Sequence, residues 1–199
     1  LIVTTIEDAL KLLLDWVGRP DIAIPERDTT PGQLPWLKPV TEVSDALGPD
    51  VFHSGLPLLL TQDRIFRPEE LHASSNGYIT FIVESQGAYS LGYRPDFPER
   101  LFVSGDWVTG SEETVPPGWR RLQMTPEDAL IMTVLINGFF GLSGQLRTRD
   151  EPDFNTLPPE TDVRVWHHPA MGAHWPGFWT DSASSMLHFG GFGQTLMRA

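Results

Sequence analysis

The sequence predicts an α+β fold: a single domain spanning residues 1–199, with a curved, largely antiparallel central sheet packed by helices. Three observations carry that reading. Apolar residues recur at helical spacing in two stretches, one opening after Thr5 and one after Thr125. Between them, Tyr78, Ile79, Thr80, Phe81, Ile82 and Val83 form a β-branched and aromatic run, followed past a short polar turn by clean alternation through Tyr89, Leu91 and Tyr93. The 199 residues are 40% hydrophobic and 20% charged, and a chain of this length buries roughly 70% of its unfolded surface, enough for a core without staples.

The first helix is expected over about 6–17, because Thr4 with Glu7 and Thr5 with Asp8 are capping-box pairs ahead of Ile6, Ala9, Leu10, Leu13, Leu14 and Val17. Gly18 and Pro20 stop it. Four prolines between 20 and 35 make the next stretch an extended connection. A short helix follows around Val40–Leu47, ended by Gly48 and Pro49. Leu56–Leu60 is a short apolar run, and Pro68, Glu69, Glu70 and Leu71 read as one helical turn. Asn76 and Gly77 are turn residues leading into the hairpin of Tyr78 to Tyr93. Its first strand has apolar residues on both parities, as a strand covered on both faces would.

Leu101–Val103, Trp107–Val108 and Trp119–Met124 are strand candidates, with a polar loop expected over 109–118. Thr125, Pro126, Glu127 and Asp128 make a strong helix start, since free N–H groups there favour oxygen acceptors and negative charge. That helix should run to about 140. Its apolar run, Ala129 to Leu142, is too short for a membrane span of roughly 20 residues and reads as a core helix. Residues 147–162 read as a solvated acidic loop, and Val163–Trp166, Ser185–Phe189 and Gln194–Met197 as closing strands.

The chain has no cysteine, which excludes disulfides, thiolate zinc sites and a Cys nucleophile, and fits a reducing, cytoplasmic compartment. It opens on Leu1 rather than Met, which leaves room for a truncated start, a removed leader included. The formal net charge of -12 is shared by both halves of the chain. Such a field disfavours nucleic acid and favours encounter with a basic partner, although solubility alone is its simpler reading.

His167, His174, Asp181 and His188 recur every seven residues, with His168 beside them, and these are metal-ligand types. Pro169, Gly172, Pro176 and Gly177 prevent a continuous helix from presenting them on one face, so hydrogen-bonded or exposed histidines are the stronger reading. Neither a phosphate loop nor a nucleophile elbow occurs. Adjacent pairs such as Glu69 with Glu70 and Glu112 with Glu113 do not converge on one substrate. Of the seven Trp, most should be core, but Trp175 and Trp179 flank a turn-rich segment suited to presenting an aromatic patch to a partner.

The stretch Phe81, Ile82, Val83, Glu84, Ser85, Gln86, Gly87, Ala88, Tyr89 resembles the hallmark of the SUKH superfamily: a strand, a Glu-Asn-Gln-Gly-like turn and an aromatic second strand. Glu84, Gln86 and Gly87 match; Ser85 stands for the usual Asn, and Leu91 lies near where Trp is common. Leu34 and Pro35, Ile65 and Phe66, Trp107 and the helix from Pro126 fall in matching order. The resemblance implies an α+β binding scaffold, typified by bacterial immunity proteins that neutralise polymorphic toxins, with no catalysis and no cofactor. Glu84 and Gln86 are expected to hold the turn through contacts with nearby backbone. A basic nuclease toxin would suit the charge, with Glu112, Glu113, Asp150, Glu151, Asp153, Trp175 and Trp179 as candidate contacts; neither nucleic acid nor membrane is an expected partner. The alternatives are a regulatory scaffold of the same fold and a metal-dependent hydrolase using the C-terminal histidines.

Overall fold

Helix α1 (Ile6–Trp16) begins where Thr5 and Asp8 cap each other: Asp8 N–H donates to Thr5 Oγ1 at 3.3 Å and the Asp8 carboxylate accepts from Thr5 N–H at 3.2 Å. Its face of Ile6, Ala9, Leu10 and Leu13 is fully buried. A computed structural model describes residues 2–48, 56–105, 113–115, 118–143, 146–150, 163–169, 177–190 and 193–198. Helix α2 (Leu37–Leu47) starts three residues before the expected position, because Pro39 sits in its first turn, where a missing N–H breaks no helical bond. Gly48, at φ +80°, ends it.

A six-stranded antiparallel sheet follows: β1 (Asp63–Ile65), β2 (Ile79–Glu84), β3 (Tyr89–Arg94), β4 (Phe97–Gly105), β5 (Glu113–Val115) and β6 (Trp119–Arg121), in the order β1-β2-β3-β4-β6-β5. The β2–β3 hairpin is interior to it. A register shift between Thr80 and Ile82 turns both Phe81 and Ile82 into the core, which accounts for apolar residues on both parities of β2. On the opposite face, Tyr78 stacks on Trp119 at 4.7 Å beside Phe102, forming a small second core. Gly92 permits this, since a Cβ there would stand 2.8 Å from the Trp119 ring.

Helix α3 (Pro126–Ser143) is capped by Thr125, whose Oγ1 accepts from Asp128 N–H at 3.1 Å, and is buried on nearly every side. It packs on α1 and on strands of two sheets, β1, β3 and β4 of the first and β11 of the second. The second sheet comprises β7 (Arg147–Asp150), β8 (Val163–Trp166), β9 (Phe178–Thr180), β10 (Met186–Phe189) and β11 (Gln194–Met197), ordered β7-β11-β10-β9-β8 and antiparallel throughout. Phe139 of α3 meets Phe178 and Phe189 of this sheet. One continuous hydrophobic core joins both sheets and all three helices.

The α+β class thus stands, but two sheets replace the one central sheet expected. The reason lies in α3: a helix apolar all round cannot hide against a single sheet, and the second covers what the first leaves bare. Two expected loops also contain strands, β5 within 109–118 and β7 at the start of 147–162. Among the described residues, no helix is long and apolar enough to cross a membrane.

Candidate functional site

The turn joining β2 to β3 is built by Glu84. Its carboxylate accepts from the N–H groups of Gln86 (2.8 Å) and Ala88 (3.1 Å), and from Ser85 Oγ at 3.2 Å. Gly87 closes the turn at φ +75°, a conformation that glycine adopts without strain. Glu84 therefore performs the backbone-holding role expected of it, while Gln86 contributes its own N–H.

Beside this turn lies a polar group that sequence reasoning missed. Asp63 of β1 is in register with Glu84 of β2 and is only 3% exposed. Its Oδ2 accepts from the Tyr89 hydroxyl of β3 at 3.3 Å. Burial, and then the Glu84 charge, push the Asp63 carboxyl up to about 6, while burial and the same carboxyl groups raise Tyr89, keeping it a hydrogen-bond donor. From the core side, Asn137 of α3 clamps the strand. Its Oδ1 accepts from the N–H groups of Gln62 (2.9 Å) and Asp63 (2.8 Å), and its Nδ2 donates to the carbonyls of Leu58 (2.7 Å) and Asp63 (2.8 Å). A fully buried Asn in an apolar helix needs such partners, so its presence within the run from Ala129 to Leu142 was the one available signal.

The outer side of β1 walls an open groove of about 750 Å³, lined by Ser44, Asp45, Pro57, Leu59, Leu60, Arg64, Ile65, Arg67 and Glu70. Leu60 is 69% exposed at its rim. Arg64 pairs with Glu70 at 2.7 Å and Arg67 with Asp45, so the lining is charge-balanced around an apolar floor. The backbone edge of β1 is not open here, since Ile65 N–H donates to Leu59 O at 2.8 Å and Asp63 N–H to Asn137.

No family model, curated protein or solved structure matches this chain.

Three of the expected contact residues, Glu113, Asp150 and Trp179, lie among the described residues. Glu113 lies on β5, one edge strand of the six-stranded sheet, and Asp150 ends β7, one edge strand of the other. Trp107, Glu112, Glu151, Asp153, Trp175 and His174 fall outside the described residues. Trp179 corrects the expectation of an exposed aromatic patch: it sits in β9, 7% exposed, with the Arg164 guanidinium 5.7 Å from its ring. The segment Phe178–Thr180 is a strand buried on both faces, and its aromatics serve packing.

The described histidines are not grouped as a metal site. His188 is fully buried in β10 with Nδ1 2.9 Å from Thr195 Oγ1, and His168 Nε2 lies 3.5 Å from Asp128. His167 follows β8, its pKa lowered by burial and then by Arg164 and His168. Asp181 is committed to a turn, accepting from the N–H groups of Ser185 (2.7 Å) and Met186 (3.0 Å). Among the described residues, no three His, Asp or Glu side chains are grouped as metal ligands would be.

Proposed function

We propose that this chain is a non-catalytic binding protein that neutralises a toxin domain stoichiometrically in the cytoplasm. The observation that carries the reading is the β2–β3 hairpin, with its Glu84-to-Gly87 turn held by the Glu84 carboxylate on two backbone N–H groups in the residue order of the SUKH-like motif. The net charge of -12 supports a basic partner, such as a nuclease, whose own positive surface would be steered to it. Acidic positions at Glu112, Glu113, Asp150, Glu151 and Asp153 are the contacts this reading favours.

The test is co-expression with toxin domains encoded next to the gene, scoring both co-purification and survival of toxin-expressing cells. Binding with protection supports the reading; neither binding nor protection sinks it. A regulatory scaffold that binds an endogenous protein is the second reading. It is favoured by the groove beside β1, whose Arg64–Glu70 and Arg67–Asp45 pairs leave no single sign of charge to match a basic nuclease. Capture of a defined endogenous partner, lost when Leu60 is replaced by Asp, would favour it over toxin neutralisation.

A further inference from the structure

Asp63 and Glu84 are two carboxyl groups in one register pair, and each is held by other commitments. The Asp63 backbone is fixed on both its N–H and its carbonyl by Asn137, at 2.8 Å each. The Glu84 carboxylate is fixed by the Gln86 and Ala88 N–H groups that form the turn. The strand backbone therefore keeps the two acids in one register pair, and the Asp63 carboxyl itself accepts from the Tyr89 hydroxyl at 3.3 Å.

The groups facing the Asp63 carboxyl are Glu84 and the Ser85 N–H from the end of β2 and the Tyr89 hydroxyl from β3, while α3 offers the Asp63 backbone only the neutral Asn137 amide. Arg64, the next residue of β1, projects to the opposite face, where it pairs with Glu70 and lies 4.3 Å from the Phe66 ring. The charge nearest Asp63 is thus of its own sign.

We propose that Asp63 is a proton-operated latch for β1: protonated, it lets the strand close against the hairpin, and ionised, it opposes Glu84 across the register pair and loosens the strand. The latch belongs to a three-residue strand at the sheet edge, where local opening is easiest. Its burial and the Glu84 charge bring the transition to about 6, above the ordinary 3.8. The strand is therefore tightest below the ordinary value and loosens as pH rises through 6. Arg64 and Ile65 wall the groove, and Ile65 N–H ties Leu59 to β1, so the groove changes shape with the latch. Acidification holds β1, and with it this wall of the groove, in place, and neutral pH relaxes both.

The experiment is a pH series from 4 to 8 on the whole chain by NMR. It reads the Asp63 carboxyl carbon and the exchange of the Phe66 N–H, which donates to Phe81 O at 2.9 Å, corrected for intrinsic exchange. We expect a carboxyl midpoint near 6 and, across it, a fall of about tenfold in Phe66 protection, the equivalent of one pKa unit of coupling. Asp63→Asn should hold protection constant across the series. If that variant does not fold, Glu84→Gln supplies the check, because removing the like charge should lower the midpoint and flatten the protection profile. An Asp63 midpoint close to 4, or Phe66 protection unchanged while Asp63 ionises, overturns the latch.

Discussion

Arg27 joins the starts of two helices through its guanidinium, which binds Glu7 of α1 at 2.6 and 2.7 Å and Glu127 of α3 at 3.0 Å. The Arg27 hydrogen bond holds Glu7 below its ordinary value, whereas burial raises Glu127 despite the same cation. Replacing Arg27 with Ala leaves two half-buried carboxylates together, and urea denaturation at pH 7 should show a loss of about 1–2 kcal/mol after allowance for solvent screening. Because the Glu7 value is depressed, its share of stability is present above 4.5 and vanishes as pH falls. The loss in R27A should therefore shrink at pH 4. Asp63 has the opposite sign. Its folded value near 6 exceeds 3.8, so folding binds a proton between those values and stability falls as pH rises through them. Asp63→Asn should be close to neutral at pH 4 and stabilising at pH 7.5, by at most about 3 kcal/mol in denaturant titrations. Glu84 was legible in the sequence because it opens the polar stretch Glu84, Ser85, Gln86, Gly87 between two strand patterns. Asp63 was not, because its meaning depends on a register partner 21 positions away, and Thr61, Gln62, Asp63, Arg64 reads as an ordinary polar stretch.

At the scale of elements, α3 organises the molecule, and two adjacent residues on it have separable roles. Asn137 seals the β1 edge with four hydrogen bonds from its side chain. Asn137→Leu keeps the volume and the helix but strands buried backbone groups, at a cost of about 3 kcal/mol or more. Hydrogen exchange should show Asp63 and Ile65 losing protection before the β2–β3 core does. Gly138 allows α1 to approach, since a Cβ there would stand 2.5 Å from Leu13 Cδ1. Gly138→Ala gains about 1 kcal/mol of helix propensity but forces Leu13 aside, and overpacking of about 1–3 kcal/mol outweighs that gain. A lowered midpoint of thermal unfolding would show it. The helices and the hairpin were legible because caps, period and turn residues agree over many positions. The missed strands lack such signals: β5, β7 and β9 have three or four residues each. In addition, β9 is buried on both faces and shows no alternation, and β7 is Arg, Thr, Arg, Asp, with no apolar residue to announce a strand.

At the scale of the whole molecule, one core spanning both sheets means that neither should unfold alone. Calorimetry should give a single transition with matching van't Hoff and calorimetric enthalpies, and two resolved transitions would contradict the shared core. If the partner is basic, the charge of -12 makes association salt-sensitive. The on-rate should drop about tenfold or more between 20 and 500 mM salt, with dissociation nearly unchanged. Composition made the sign of that field plain, whereas the number of sheets stayed hidden: the apolar surface of α3 signals burial without saying what does the burying. The order β7-β11-β10-β9-β8 also bears on how the chain is made. Strand β7 leaves the ribosome long before β11, its neighbour in the sheet, and must wait with its backbone unpaired until residues 194–197 emerge. Its Arg147, Arg149 and Asp150 are the kind of charged residues that keep a waiting strand from pairing with the wrong chain, so the composition that hid β7 from pattern reading also guards it during synthesis.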